Sequence, residues 1–273
     1  MQDRPIGVFD SGLGGLTVLR ALLDLLPHSS FVYFGDTARF PYGPKPHEEV
    51  FGYALEIGDV LASLHVKAMV VACNSATSVA LDALRARHPI PVVGVIEPGM
   101  RAATQATRTG RVGVIGTVGT ISSGAYQRAA EALAPDLSVT YAACPGFVEF
   151  VEAGDVDSDQ VHVLAERLLA PVRDAKVDTL VLGCTHYPLL ARTISDVMGP
   201  DVVLVSSADE TAFEVRARLH ADGDPNAHHD PRCRFITSGD PAVFKKLGAQ
   251  FLGPEVQTVE SWDWSAYGDT PWS

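Results

Sequence analysis

Two cysteines are the residues of this sequence best placed to do chemistry. Cys73 follows the apolar run Ala68-Met69-Val70-Val71-Ala72 and precedes Asn74-Ser75; Cys184 follows Leu180-Val181-Leu182-Gly183 and precedes Thr185-His186. Each reads as a thiol carried by a strand to the place where open α/β sheets bind ligands, outside the carboxyl ends of their strands. Taken alone, a cysteine in that position is usually a buried small hydrophobe. Two thiols facing each other across a cleft suit a reaction that needs a base on one face of a carbon and an acid on the other. Racemisation is such a reaction. One thiolate takes the α-proton, the opposing thiol supplies a proton from the other face, and the roles exchange in the reverse direction.

A free thiol is mostly protonated at neutral pH, and its pKa falls beside a helix N-terminus or a basic partner. Both cysteines are expected to begin a helix, and His186 stands two residues beyond Cys184. Asp10, at the end of the strand Ile6-Gly7-Val8-Phe9, is a candidate acceptor for the Cys73 proton as substrate binds. The α-proton of an amino acid is only weakly acidic, so preorganised donors must carry much of the stabilisation. Ser11, Asn74, Ser75 and Thr185 are placed to hold a carboxylate and an ammonium group, with Thr117 a further hydroxyl in the corresponding turn of the second half. The loop Phe40-Pro41-Tyr42-Gly43-Pro44-Lys45-Pro46 is stiffened by three prolines. It is either a surface turn or a rigid wall that offers backbone N–H groups, Gly43 among them, and the Tyr42 hydroxyl to a ligand.

Other chemistries fit less well. Asp10-Ser11-Gly12-Leu13-Gly14-Gly15 is a Gly-rich turn between strand and helix, but Thr17 occupies the third glycine position of a dinucleotide loop, and Asp10 at its mouth would oppose a pyrophosphate. Cys184-x-His186 and His228-His229…Cys233 lack the paired spacing of a structural zinc site. A cysteine nucleophile with a histidine base leaves the second strand-end cysteine unexplained. A pyridoxal enzyme needs a Schiff-base lysine, and none stands out. No metal and no cofactor is therefore expected, while a binding protein that keeps the cleft without catalysis stays open.

The positioning elements follow from the strand and helix rhythm. Apolar runs at residues 6–9, 31–34, 68–72 and 92–96 alternate with helical patterns, which indicates a mainly parallel sheet with helices on both faces. The rhythm then restarts: Gly7 aligns with Gly113 and Cys73 with Cys184, at offsets of 106 and 111 residues. A nearly constant offset indicates an internal duplication, hence an α/β protein of two similar lobes. Residues 1–97 together with 207–255 are assigned to the first lobe, 98–206 to the second, and 256–273 to a C-terminal tail. Arg234 to Thr237 reads as the last strand. The tail, with Trp262, Trp264 and Trp272, either frays or docks its aromatics on a neighbouring surface. Of 273 residues 33 are acidic and 21 are Lys or Arg, and a net charge of −12 disfavours nucleic-acid binding. No apolar run is long enough to span a bilayer, and the N-terminus leaves no room for a secretory apolar segment. With four cysteines and no CxxC, a reduced cytoplasmic setting is expected.

At these residues the sequence resembles the glutamate racemases of the aspartate/glutamate racemase family. The resemblance is carried by Asp10-Ser11-Gly12-Leu13-Gly14-Gly15, Pro41-Tyr42-Gly43, Ala72-Cys73-Asn74, Gly183-Cys184-Thr185-His186-Tyr187-Pro188-Leu189-Leu190 and Thr237-Ser238-Gly239-Asp240. It implies two lobes with the active site in the cleft between them, often in a homodimer. It also implies cofactor-independent interconversion of L- and D-glutamate, supplying D-glutamate for peptidoglycan. The family's catalytic cysteines fall on Cys73 and Cys184. Its substrate contacts fall on Asp10, Ser11, Tyr42, Gly43, Asn74, Ser75, Thr185 and His186, and its acidic residue after the Cys-Pro segment falls on Glu152. The resemblance also implies that Cys73 acts on D-glutamate. Two positions depart from the family pattern. Ser75 replaces the usual Thr and keeps the hydroxyl. Glu149 stands where many members have Pro, adding a carboxylate near Glu152, and the sequence does not say which of the two faces the cleft.

Overall fold

The computed structural model describes residues 4–221 and 232–267. Strands β1 (Ile6–Asp10), β2 (Phe31–Gly35), β3 (Ala68–Val71) and β4 (Val92–Gly94) form the first half. Strands β5 (Arg111–Gly116), β6 (Ser138–Ala143), β7 (Thr179–Gly183) and β8 (Val203–Val205) form the second, and β9 (Cys233–Thr237) and β10 (Val259–Ser261) return to the first. The sheets have the orders β10-β9-β2-β1-β3-β4 and β6-β5-β7-β8, and every described ladder is parallel. The order β2-β1-β3-β4 thus recurs as β6-β5-β7-β8.

Parallel strands covered on both faces need apolar side chains throughout, and β1 and β7 are buried end to end. Alternate residues feed different cores. Val8 and Tyr33 join one cluster with Leu16, Leu19 and Leu22 of the helix Leu16–Leu25. Phe9 and Phe34 join the opposite one with Ile57 and Leu61 of the helix His47–Ser63. The second sheet repeats this, with Leu180 and Leu182 on one face and Val181 on the other.

The strand order also decides where a ligand can sit. In each half the chain leaves the first strand to one side and then crosses to the other, opening a crevice between β1 and β3 and between β5 and β7. Asp10 ends β1 and Cys73 follows β3; Thr117 follows β5 and Cys184 follows β7.

The structure corrects the sequence reading in two places. The sheet does not end at Thr237: β10 adds a further parallel strand, pairing Val259 to Ser261 with Phe235 to Thr237. Cys184 does not open an α-helix. A 3₁₀ turn at Tyr187–Leu190 comes first, with Pro188 in its opening positions, and the helix Ala191–Met198 follows. Cys73 does stand at the N-cap of the helix Asn74–Arg87. Among the described residues, no helix is long and apolar enough to cross a membrane. His228, His229 and Trp272 lie outside the described residues.

Candidate active site

The two crevices open onto one shared cleft. Cys73 lines it from the first half and Cys184 from the second, both buried. Ser11, Tyr42, Gly43, Asn74 and Ser75 line it from the first half, and Thr117, Thr185 and His186 from the second. Phe40, Pro41 and Val148 supply apolar walls.

The two thiols have different neighbours. Burial pushes the Cys73 thiol up to about 12, with the Asp10 and Cys184 charges adding to it. The N–H of Ala76 and the hydroxyl of Ser11 oppose that shift without reversing it. The helix N-terminus is therefore outweighed by desolvation and a neighbouring carboxylate. On the other side His186 Nδ1 lies 3.9 Å from Cys184 Sγ, and His186 Nε2 lies 2.7 Å from Glu152 Oε1. Burial works against the imidazolium, but Cys184 and Glu152 outweigh it, and the histidine is raised to about 10. An imidazolium beside Cys184 is the counter-charge that a thiolate there requires. Burial also raises Asp10, against the pull of His186 and of the N–H groups of Gly12 and Gly15. The Gly12 N–H donates to Asp10 Oδ2 at 3.0 Å, and the Thr185 hydroxyl donates to Asp10 Oδ1 at 3.4 Å from across the cleft.

The Gly-rich turn serves close approach between the halves. A Cβ on Gly14 would lie 2.3 Å from Thr185 Oγ1 and 2.5 Å from His186 Nδ1. A Cβ on Gly43 would lie 2.8 Å from Thr117 Cβ. Gly14→Ala therefore displaces Thr185 and His186 from their positions at the cleft. Turnover should fall by about 10²-fold, as expected for a displacement near 1 Å. Overpacking should cost only about 1–3 kcal/mol of stability. Parallel kinetics and thermal melts of this variant check the split; wild-type turnover would count against it.

A family model described as Asp/Glu/Hydantoin racemase matches residues 6–214. The chain belongs to that family. It is 55% identical over 272 residues to the glutamate racemase of Beutenbergia cavernae, covering 95% of this chain and 93% of that one. Among solved structures, a glutamate racemase isoform of Bacillus anthracis is similar with a TM-score of 0.93 and 42% identity, over 97% of this chain and 99% of that one. The glutamate racemase of Francisella tularensis, solved in complex with D-glutamate, matches with a TM-score of 0.92 and 34% identity, over 98% of this chain and all (100%) of that one. The two-lobed α/β architecture with parallel sheets is thus the architecture of glutamate racemases.

Within this family member, two residues picked out from the sequence lie behind the cleft. Asp10 is held against the first wall, and Glu152 reaches the site through His186. Glu149 lines a neighbouring cavity with Pro44, Val118, Cys144 and Pro145. The Tyr42 hydroxyl donates to the Asp36 carboxylate, so its proton is committed, and it offers a ligand only lone pairs. Sequence reasoning passed over Tyr126, which is buried in the second half and donates from its hydroxyl to Asn74 Oδ1 at 2.8 Å. With that oxygen occupied, the amide nitrogen of Asn74 is left to donate. Tyr126 sits inside the helix Ala125–Leu133 with no motif around it, so no sequence signal marked it. Thr120 is the other addition: with Thr117 it bonds Ser75 Oγ, at 3.2 and 3.1 Å, joining the halves beside the cleft.

Proposed function

We propose that this protein interconverts L- and D-glutamate without a cofactor, using Cys73 and Cys184 as a pair of acid–base groups. The observation that carries the reading is one cleft lined by two thiols from two separate sheets. Membership of the racemase family and identity to glutamate racemases support the substrate. In one direction Cys184 Sγ takes the α-proton, leaving the electron pair on Cα and its carboxylate, and Cys73 Sγ–H protonates the opposite face. The enzyme is then left with Cys73 as thiolate and Cys184 as thiol, the state that serves the reverse reaction. Asp10, raised by burial, is the local acceptor when the Cys73 thiol must ionise before D-glutamate reacts. Ser11, Asn74, Ser75, Thr117 and Thr185 are assigned to the substrate's carboxylates and ammonium, together with the Tyr42–Gly43 wall. Supply of D-glutamate for peptidoglycan, a homodimer and a cytoplasmic setting complete the proposal.

The test is incubation of purified protein with either enantiomer in D₂O. Deuterium should enter the α-position with no added cofactor, and both enantiomers should reach the same racemic mixture. Saturable binding of glutamate without α-proton exchange would instead identify a binding protein, and aspartate turning over faster than glutamate would move the substrate assignment.

A further inference from the structure

Asp36 lies just beyond the end of β2, and its side chain is fully buried. A buried carboxylate is tolerated when its lone pairs are occupied, and here each oxygen accepts two donors. Oδ1 accepts from Ser238 Oγ at 2.7 Å and from Trp264 Nε1 at 2.9 Å. Oδ2 accepts from Arg39 Nε at 2.6 Å and from the Tyr42 hydroxyl. The donors come from three separate parts of the chain: the 36–42 loop, the turn after β9 and the segment after β10. Trp264 has a second hold on this junction. Its ring lies 3.8 Å from the Arg39 guanidinium, which also lies 4.1 Å from the Tyr53 ring, and its centroid lies 5.6 Å from that of Phe34.

Tyr42 lines the cleft, and the adjoining Gly43 carbonyl accepts from the Gly119 N–H of the second half at 2.9 Å. We propose that Trp264 is a positioning residue for the Tyr42–Gly43 wall, acting through the Asp36 carboxylate. The two carboxylate oxygens move as one rigid plane. The donors on Oδ1 therefore set where Oδ2 meets the Tyr42 hydroxyl, and with it the wall that faces the substrate. Ser238 shares Oδ1, so the loss of Trp264 loosens the wall without releasing it. The tail after β9 is in this way part of the support of the site, which gives the tryptophans a role beyond covering Phe34.

The inference rests on the cleft being the glutamate site, and its test separates the two. Trp264→Phe keeps an aromatic ring beside Arg39 and removes the N–H together with the second ring of the indole; Trp264 is half-buried, so the fold accommodates the change. KM for both enantiomers should rise about 3- to 10-fold, the size of one lost hydrogen bond, with kcat within about twofold. Tyr42→Phe should raise KM similarly, and the double variant should show much less than the product of the two single effects. Amide hydrogen exchange across residues 40–46 should quicken in Trp264→Phe while β1 stays as protected as in the wild type. Wild-type KM and wild-type exchange in that segment, or multiplicative effects in the double variant, would overturn the coupling. A wild type that does not racemise glutamate sinks the proposed function instead. The exchange measurement needs no substrate and still decides whether Trp264 holds the wall.

Discussion

Cys73→Ala and Cys184→Ala should each lower kcat/KM for racemisation by about 10³-fold or more, within the range for loss of a positioned acid or base. The loss should be the same in both directions for either variant. The enantiomers have equal free energy, so the equilibrium constant is unity and the two kcat/KM values must stay equal whatever the enzyme does. The asymmetry of the site can appear only in kcat and KM taken separately, or in isotope exchange. Burial and the Asp10 charge favour the thiol at Cys73, and the His186 imidazolium stands beside Cys184. In the proposed two-thiol mechanism Cys73 is then the proton donor, and Cys184, with His186 Nδ1 3.9 Å away, is the opposing acceptor. Cys73→Ala should still exchange the α-proton of one enantiomer with solvent, and Cys184→Ala that of the other, since each retains one base. Deuterium incorporation without racemisation, opposite in enantiomer for the two variants, is the expected pattern. Normal racemisation by both variants would remove the two-thiol mechanism altogether.

What the sequence revealed of this site follows from where its residues sit. Both cysteines end unbroken apolar runs, because parallel strands covered on two faces must be apolar along their length. The crossing of each half, which puts Asp10 beside Cys73 and Thr117 beside Cys184, is a property of strand order, and no local pattern encodes it. Strand β10 escaped notice because Val259-Glu260-Ser261 is three residues long, largely polar, and held at a sheet edge by backbone bonds. The Cys73 thiol is raised where a helix N-terminus alone predicts a fall. A helix N-terminus is visible in the sequence, whereas the burial and the neighbouring carboxylate that outweigh it are tertiary facts. The glycines of the Asp10-to-Gly15 turn looked like a weak phosphate loop because close approach to a ligand and close approach to another lobe require the same residue.

Glu152→Gln should lower turnover by about 10- to 100-fold in the alkaline range and move the alkaline limb of the pH–rate profile to lower pH. Glu149 and Glu152 lie three residues apart on the helix Phe147–Glu152, and the sequence could not choose between them. Contact with His186 separates them: Glu152 is 2.7 Å from its Nε2, and Glu149 lines the neighbouring cavity. Glutamine keeps the shape of the contact and removes the charge that helps hold His186 at about 10. The imidazolium then loses its proton at a pH where the wild type keeps it, and Cys184 loses its counter-charge. At about pH 6, near the ordinary histidine value, both proteins hold the imidazolium and the rates should converge. The gap should widen as pH rises toward 10. Stability follows the same sign. A histidine raised on folding stabilises the fold fully below its unfolded value of about 6.5. That contribution is lost as pH rises through about 10. The melting temperature of Glu152→Gln should therefore fall furthest below the wild type at and below about pH 6.5, and approach it above about pH 10. Glu149→Gln, which leaves the His186 contact intact, should keep the wild-type limb. A displaced limb in that variant and an unmoved one in Glu152→Gln would reverse the assignment.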